Sequence, residues 1–397
     1  VIFATYWFLA FAAVFFSLFW LVRNATVRLG LLLAASAAFQ IHYAGAAGVL
    51  PIALLAVLVY FVGLTSNKAA NTLGIVVCVG VLATYKYSIF LISSLVGGVH
   101  PELGARLTDM ARHTLPETPP LAVSFFVFEF VHYLVDRRRG TPAIRNPFHF
   151  TAFAIFFPTL VAGPIKRYEQ FIPSVQRAIA RVSPRDVMAG VIQLCFGFLK
   201  KLAADNLTLW IESTQSGYSS LPLEGRWIFV TAVAFRILLD FSGYSDIAIG
   251  LARMMGVAIP PNFNWPYLAT NIRDFWHRWH ISLSSWIRDY VYIPLGGNRH
   301  GNFRRFLNGL VAFSLCGLWH GPAWNFVLWG LYHGIGLSIS NAYRQIPLGI
   351  GAGVGRALDR LPLLGWCITL LFVWFGWLLF FYPATQAWQM VKLLFVF

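Results

Sequence analysis

The sequence predicts an all-α polytopic membrane protein, and three observations carry that reading. Of the 397 residues, 58% are hydrophobic and only 11% charged, against roughly 25% charged in an ordinary soluble domain. The apolar residues gather in long runs, and a helix of roughly 20 such residues crosses about 30 Å of hydrocarbon. The Lys and Arg behind the net charge of +15 lie mostly in short connections between those runs, as the excess of basic residues in cytoplasmic loops produces. This composition excludes disorder, a coiled coil, a disulfide-stapled secreted domain and a soluble enzyme. It also argues against a nucleic acid partner, because no basic domain stands apart from the apolar runs. Cys78, Cys195, Cys316 and Cys367 stand singly in apolar surroundings and read as packing residues.

The elements follow in order. Val1–Val22 is the first span, with no small-residue cleavage signal, and reads as a retained helix. Arg23 and Arg28 after it are expected in the cytoplasm. Leu29–Leu64 is too long for one crossing, and Gly45, Gly48 and Pro51 predict two helices with a tight outer turn. Leu73–Val96 goes out again after Lys68. The connection from His100 to Pro120 sets Glu102, Asp109 and Glu117 against Arg106 and Arg112, and this balance suits the outer face. Leu121–Val135 crosses back to the basic cluster at Arg137, Arg138 and Arg139.

A second basic cluster holds Lys166, Arg167, Arg177, Arg181 and Arg185. The apolar run between the two, Phe148–Ile165, is interrupted by Pro158, Gly163 and Pro164, which predicts a broken or re-entrant helix. Such backbone is tolerated at membrane depth only where protein or a water-filled cavity covers it. Val187–Ile211 and Trp227–Val257 are the next two spans. From Pro260 to Arg305 the chain is too polar to cross. Trp276, Trp279, Leu283 and Trp286 fall on one face there, as in a helix lying in the membrane surface.

Phe306–Ser340 would be a straight helix of roughly 52 Å, longer than a bilayer needs. Gly321 and Pro322 interrupt it just after His320, and Arg344, Arg356 and Arg360 follow. A bent hairpin with His320 at its bend is predicted. Leu363–Phe381 is the last span, and the tail to Phe397 is amphipathic. About ten membrane-embedded segments result. The whole chain, 1–397, reads as one transmembrane domain, with an interfacial segment near 260–305 and the hairpin near 306–341.

Ionisable groups inside a membrane cost several kcal/mol unless paired or facing water, so their positions are informative. His320 has two readings, a helix staple bonding a carbonyl or a functional imidazole in a lined cavity; Asn325 and Trp319 lie beside it. His277 and His280 form an H-x-x-H pair. A third ligand is missing at metal spacing and Arg278 opposes a cation, so no metal site is expected. Glu129, His132 and Asp136 share a helix face and read as a structural polar cluster. Asp240 and Asp246 read as ion-pair partners of Arg236 and Arg253. No phosphate loop or dinucleotide fingerprint occurs.

The block from Arg278 to Arg299 (RWHISLSSWIRDYVYIPLGGNR), followed by Leu318-Trp-His-Gly321, resembles the membrane-bound O-acyltransferase superfamily. More narrowly it is similar to the bacterial alginate O-acetyltransferase branch, which includes cellulose acetylation homologues. Supporting blocks are Ser124–Glu129, Asp136 with Arg139-Gly140, Pro158–Pro164, Gly197–Lys201 and Asp240–Asp246, so the resemblance runs to about residue 345. It implies a ring of helices around a central tunnel lined by the family's two histidines, here His320 and His280. It implies a cytoplasmic thioester donor, acetyl-CoA, which is a substrate and not a bound cofactor. The acceptor would be a hydroxyl of an exported polysaccharide or a periplasmic acyl-accepting protein, reached across a bacterial inner membrane.

Thioester transfer to an alcohol needs a base, and an imidazole with a pKa near 6.5 suits it; His320 is expected in that role. His280 and Asn325 are expected to orient a substrate or contact an oxyanion. Arg273, Arg278 and Arg288 would meet the phosphates of CoA or lipid headgroups. Two other readings stay open. One is transfer of D-alanine or another acyl group from a carrier protein to a cell-wall polymer. The other is a transporter using the same cavity without chemistry, although the inverted repeats common in transporters are missing from the sequence.

Overall fold

A computed structural model describes residues 2–116, 119–342 and 361–396. Glu117, Arg344, Arg356 and Arg360 lie outside the described residues. Among those described the secondary structure is helical throughout, with no strand. In chain order the helices are α1 Tyr6–Leu21, α2 Ala25–Leu64, α3 Lys68–Val99, α4 Pro101–Thr114, α5 Val123–Arg138, α6 Pro147–Ala154, α7 Tyr168–Ala180 and α8 Pro184–Thr214. They continue with α9 Leu223–Met254, α10 Ile272–Arg278, α11 Ile281–Ile287, α12 Gly301–His320, α13 Trp324–Ala342, α14 Pro362–Phe381 and α15 Ala384–Leu393.

Five stretches are long and apolar enough to cross a membrane: α2, α3, Pro184–Ser220, α9 and α14. Leu54, Phe61, Leu73, Val76, Ile192 and Leu199 on these helices are exposed, which water would penalise and lipid tails would not. The chain is an all-α polytopic membrane protein.

Packing divides it into two units. The first is Val1–Phe196 with Ser245–Pro260, and the second is Gly197–Tyr244 with Pro261–Phe397. Within the first unit, α2 bends where the sequence predicts. Gly45 alone leaves helical geometry, at φ 66° and ψ 168°, so two helices meet at one residue rather than through a loop. Only glycine adopts that conformation without a steric cost.

The run Phe148–Ile165 is broken as expected. α6 ends at Ala154, a 3₁₀ turn covers Phe157–Thr159, and irregular backbone leads to Ile165. Phe153, Phe156, Phe157, Pro158 and Thr159 are buried, so protein covers this stretch.

Two basic residues expected in water are inside instead. Arg28 is buried, and its guanidinium donates to the carbonyls of Phe19, Val22 and Ile179. The carbonyls of Phe19 and Val22 come at the end of α1, where a helix leaves them without amide partners. Lys166 is 2% exposed and donates to Glu129 Oε1 at 2.5 Å.

Candidate active site

The second unit holds the residues to which the sequence assigns chemistry. α12 and α13 form the predicted hairpin, with His320 the last residue of α12 and Gly321 in extended geometry after it. The two arms approach closely because small residues face each other. A Cβ on Gly317 would lie 2.0 Å from the carbonyl oxygen of Phe326, and one on Gly330 would lie 2.2 Å from that of Phe313. Glycine at both positions lets the backbones touch, the usual device for helix pairs in lipid.

The segment before the hairpin departs from the sequence reading. The expected single surface helix is two short helices, α10 and α11, broken at His280. Asn271 caps α10 by accepting from the Asp274 amide at 2.9 Å. His280 then takes the left-handed conformation, φ 44° and ψ 54°. Residues other than glycine pay about 1–3 kcal/mol for such geometry and hold it where the surroundings enforce it. Here the enforcing element is the irregular chain at 262–264. The Ile281 amide donates to the Asn262 carbonyl and the Asn264 amide to the Arg278 carbonyl, both at 2.9 Å.

The break also corrects the membrane-surface assignment. Trp276, Trp279, Leu283 and Trp286 are all buried in protein. Trp276 meets Phe313 and Trp329, and Trp279 meets Phe263, Phe275 and Trp377.

His280 and His320 both pack against one indole. The Trp319 ring centroid is 6.1 Å from that of His280 and 4.8 Å from that of His320. His280 is 1% exposed, with its ring edge-on to Phe241 at 4.6 Å. Its Nδ1 is 3.1 Å from Asn262 Oδ1, and its Nε2 has no hydrogen-bond partner among the described residues. Burial pushes the His280 imidazole well below its usual pKa, and His320 nearby pushes the same way, so the ring is neutral. His320 is half-buried and keeps accessible surface, with the rings of Trp329 and Phe380 at 5.3 and 5.0 Å. One imidazole is thus enclosed and the other keeps accessible surface, both against the same indole.

The other candidates divide. Asn325 sits near the bend, but its Nδ2 donates to the Phe380 carbonyl at 3.0 Å, which ties α13 to α14. Arg278 pairs with Asp274 at 2.9 Å and Arg288 with Asp289 at 2.7 Å, while Arg273 is exposed. His277 is exposed and His280 buried, so the H-x-x-H pair does not share an environment.

Asp240 and Asp246 have partners other than the arginines expected. In the second unit Asp240 pairs with Lys201, while Arg236 donates to Thr208 Oγ1 at 3.0 Å and lies over the Phe381 ring. In the first unit Asp246 accepts from Gln193 at 3.2 Å, and Arg253 lies 3.8 Å from Asp186. Glu129 pairs with Lys166 and Asp136 with Arg139, while His132 packs on Phe153 and Tyr168.

Two residues escaped the sequence reading. Asn262 is 1% exposed and holds His280, yet nothing in its spacing from the histidine, 18 positions on, marks it. His333 is fully buried among Trp276, Trp329, Tyr332 and Phe372. A histidine facing the hairpin's aromatic side was the only available signal for it.

A helix hairpin with an imidazole at its bend thus lies in a chain with five stretches long and apolar enough to cross a membrane. The chain belongs to the membrane-bound O-acyltransferase family, whose model matches residues 49–347. It is 37% identical over 329 residues to the probable alginate O-acetylase AlgI of Azotobacter vinelandii, covering 82% of this chain and 62% of the relative. It is 33% identical over 338 residues to the peptidoglycan O-acetyltransferase of Helicobacter pylori, covering 78% and 61%. With the teichoic acid D-alanyltransferase of Bacillus subtilis it shares 28% over 268 residues, covering 64% and 68%. The chain thus spans about three-fifths of the length of the two O-acetylating relatives.

Proposed function

We propose that this chain is an O-acetyltransferase that moves an acetyl group from a cytoplasmic thioester, acetyl-CoA, through a bacterial inner membrane for O-acetylation of an exported exopolysaccharide of alginate or cellulose type. The packing of His280 and His320 against the same Trp319 indole, with His320 at the hairpin bend, supports the reading. His320, reachable at the hairpin bend, takes the proton of the acceptor hydroxyl as it attacks the thioester carbonyl. The tetrahedral intermediate then collapses and expels the CoA thiolate, which recovers a proton. The acceptor is the sugar hydroxyl itself or that of a periplasmic protein that passes the acetyl group on.

The names of the relatives support acetyl over other acyl groups, since both proteins named for O-acetylation are more similar to this chain than the D-alanyltransferase is. D-alanyl transfer from a carrier protein is the second reading, favoured by that last likeness. Purified chain in liposomes, given labelled acetyl-CoA and an acetylatable glycan, tests the proposal. Label should reach the glycan, and His320→Ala should abolish this with the fold intact. Transfer undiminished in His320→Ala would remove His320 from the mechanism. Substrate flux without any acyl donor would favour a transporter.

A further inference from the structure

We infer that Asn262 is a positioning residue that fixes His280 as the Nδ1–H tautomer, leaving the buried Nε2 of His280 with a free lone pair as a proton acceptor. The inference rests on three bonds to one atom. Asn262 Oδ1 receives the Ser282 backbone amide at 3.2 Å, the Ser282 hydroxyl at 2.9 Å and His280 Nδ1 at 3.1 Å. The oxygen and nitrogen of an Asn amide are assigned from such contacts. A backbone N–H only donates, so the Asn262 atom facing it must be the oxygen. That oxygen only accepts. His280 Nδ1, bonded to the same oxygen, therefore carries a hydrogen.

A neutral imidazole has a single N–H, and a ring 1% exposed is held neutral by the cost of burying a charge. The hydrogen is thus spent on Nδ1, and Nε2 is bare. Nε2 is itself buried and without a hydrogen-bond partner among the described residues, an acceptor waiting for a donor. Asn262 holds the backbone as well. Its carbonyl takes the Ile281 amide at 2.9 Å, next to the left-handed His280. One residue thus sets both the backbone of His280 and the direction in which its ring can exchange a proton.

The consequence for catalysis rests on the transfer reading. A neutral His280 in this tautomer offers the site no N–H, so it cannot stabilise an oxyanion. It can accept a hydrogen bond, from the acceptor hydroxyl or from an N–H of His320. This tautomer leaves His280 to orient a substrate and excludes it from oxyanion contact.

The test is spectroscopic and needs no turnover. The full chain, labelled with ¹⁵N-histidine in detergent micelles, gives long-range proton–nitrogen correlations that distinguish the two tautomers, and the His280 signals are those lost in His280→Gln. Wild type should show protonated Nδ1 and bare Nε2. Asn262→Asp keeps an acceptor and should keep that pattern, whereas Asn262→Leu removes it and should shift His280 toward Nε2–H. Transfer per folded Asn262→Leu molecule should fall by about 10²–10⁴-fold, the usual worth of acid–base catalysis.

An Nε2–H tautomer in wild type, or an unchanged pattern in Asn262→Leu, would overturn the inference. Should Asn262→Leu fail to fold, the wild-type spectrum decides alone. A chain that shows the expected tautomer but transfers no acetyl would sink the proposed function and leave the assignment standing.

Discussion

Lys166 and Glu129 form an ion pair with both side chains almost fully enclosed, 2% and 7% exposed. The Lys166 ammonium also lies over the rings of Phe153 and Phe171. Removing one member of such a pair strands the other charge, which typically costs about 3–5 kcal/mol, whereas replacing both with apolar groups is often neutral. Glu129→Leu and Lys166→Met should each lower the midpoint of thermal unfolding in detergent, and the double variant should recover most of the loss. Equal losses in the singles and the double would mean that the charges do not depend on each other.

The α12–α13 hairpin should fail at its glycines in a position-dependent way. Gly317→Ala and Gly330→Ala each drive a methyl into backbone oxygen of the facing helix, at 2.0 and 2.2 Å. Backbone cannot step aside as a side-chain tip can, so the cost should reach the upper part of the roughly 1–3 kcal/mol range for overpacking. Gly309→Ala, whose methyl would find Ser338 Oγ nearest at 3.8 Å, has room. Size-exclusion profiles and unfolding midpoints should separate the first two variants from the third.

What the sequence disclosed follows from which forces act locally. The hairpin was legible because Gly321 and Pro322 interrupt a long apolar run, and chain chemistry alone breaks a helix there. The kink at Gly45 and the broken segment before Ile165 were legible for the same reason. The break at His280 was not, because no local rule asks a histidine to leave the helix; the clamp comes from residues 262–264. Ion-pair partners were misread because spacing along a helix shows only same-helix neighbours. Glu129 and Asp240 find their lysines at Lys166 and Lys201, 37 and 39 positions away.

The neutral, buried His280 gives a pH dependence of stability whose sign can be worked out. Its folded pKa lies below the unfolded value, which is near 6.5. Between the two the unfolded chain binds the extra proton, so stability falls as pH drops below about 6.5, with at most about 1.4 kcal/mol per pH unit from this one group. Above that range the term is fully present and flat. The loss of unfolding midpoint between pH 7.5 and pH 5 should therefore be smaller in His280→Gln than in wild type. An equal loss in both would assign the acid sensitivity to other groups.

Asn325 offers the sharpest division between holding the fold and doing chemistry. Its side-chain amide is committed to the Phe380 carbonyl at 3.0 Å, so its loss should be felt as a missing tie between α13 and α14. A neutral hydrogen bond of this kind is worth about 0.5–1.5 kcal/mol. Asn325→Ala should lower the unfolding midpoint, with the transfer rate per folded molecule nearly unchanged. Loss of an oxyanion donor would instead lower kcat by about 10²–10³-fold. Measuring kcat and the unfolding midpoint on the same preparation separates the two roles, because a drop in kcat of that size without thermal loss would return Asn325 to the reacting atoms.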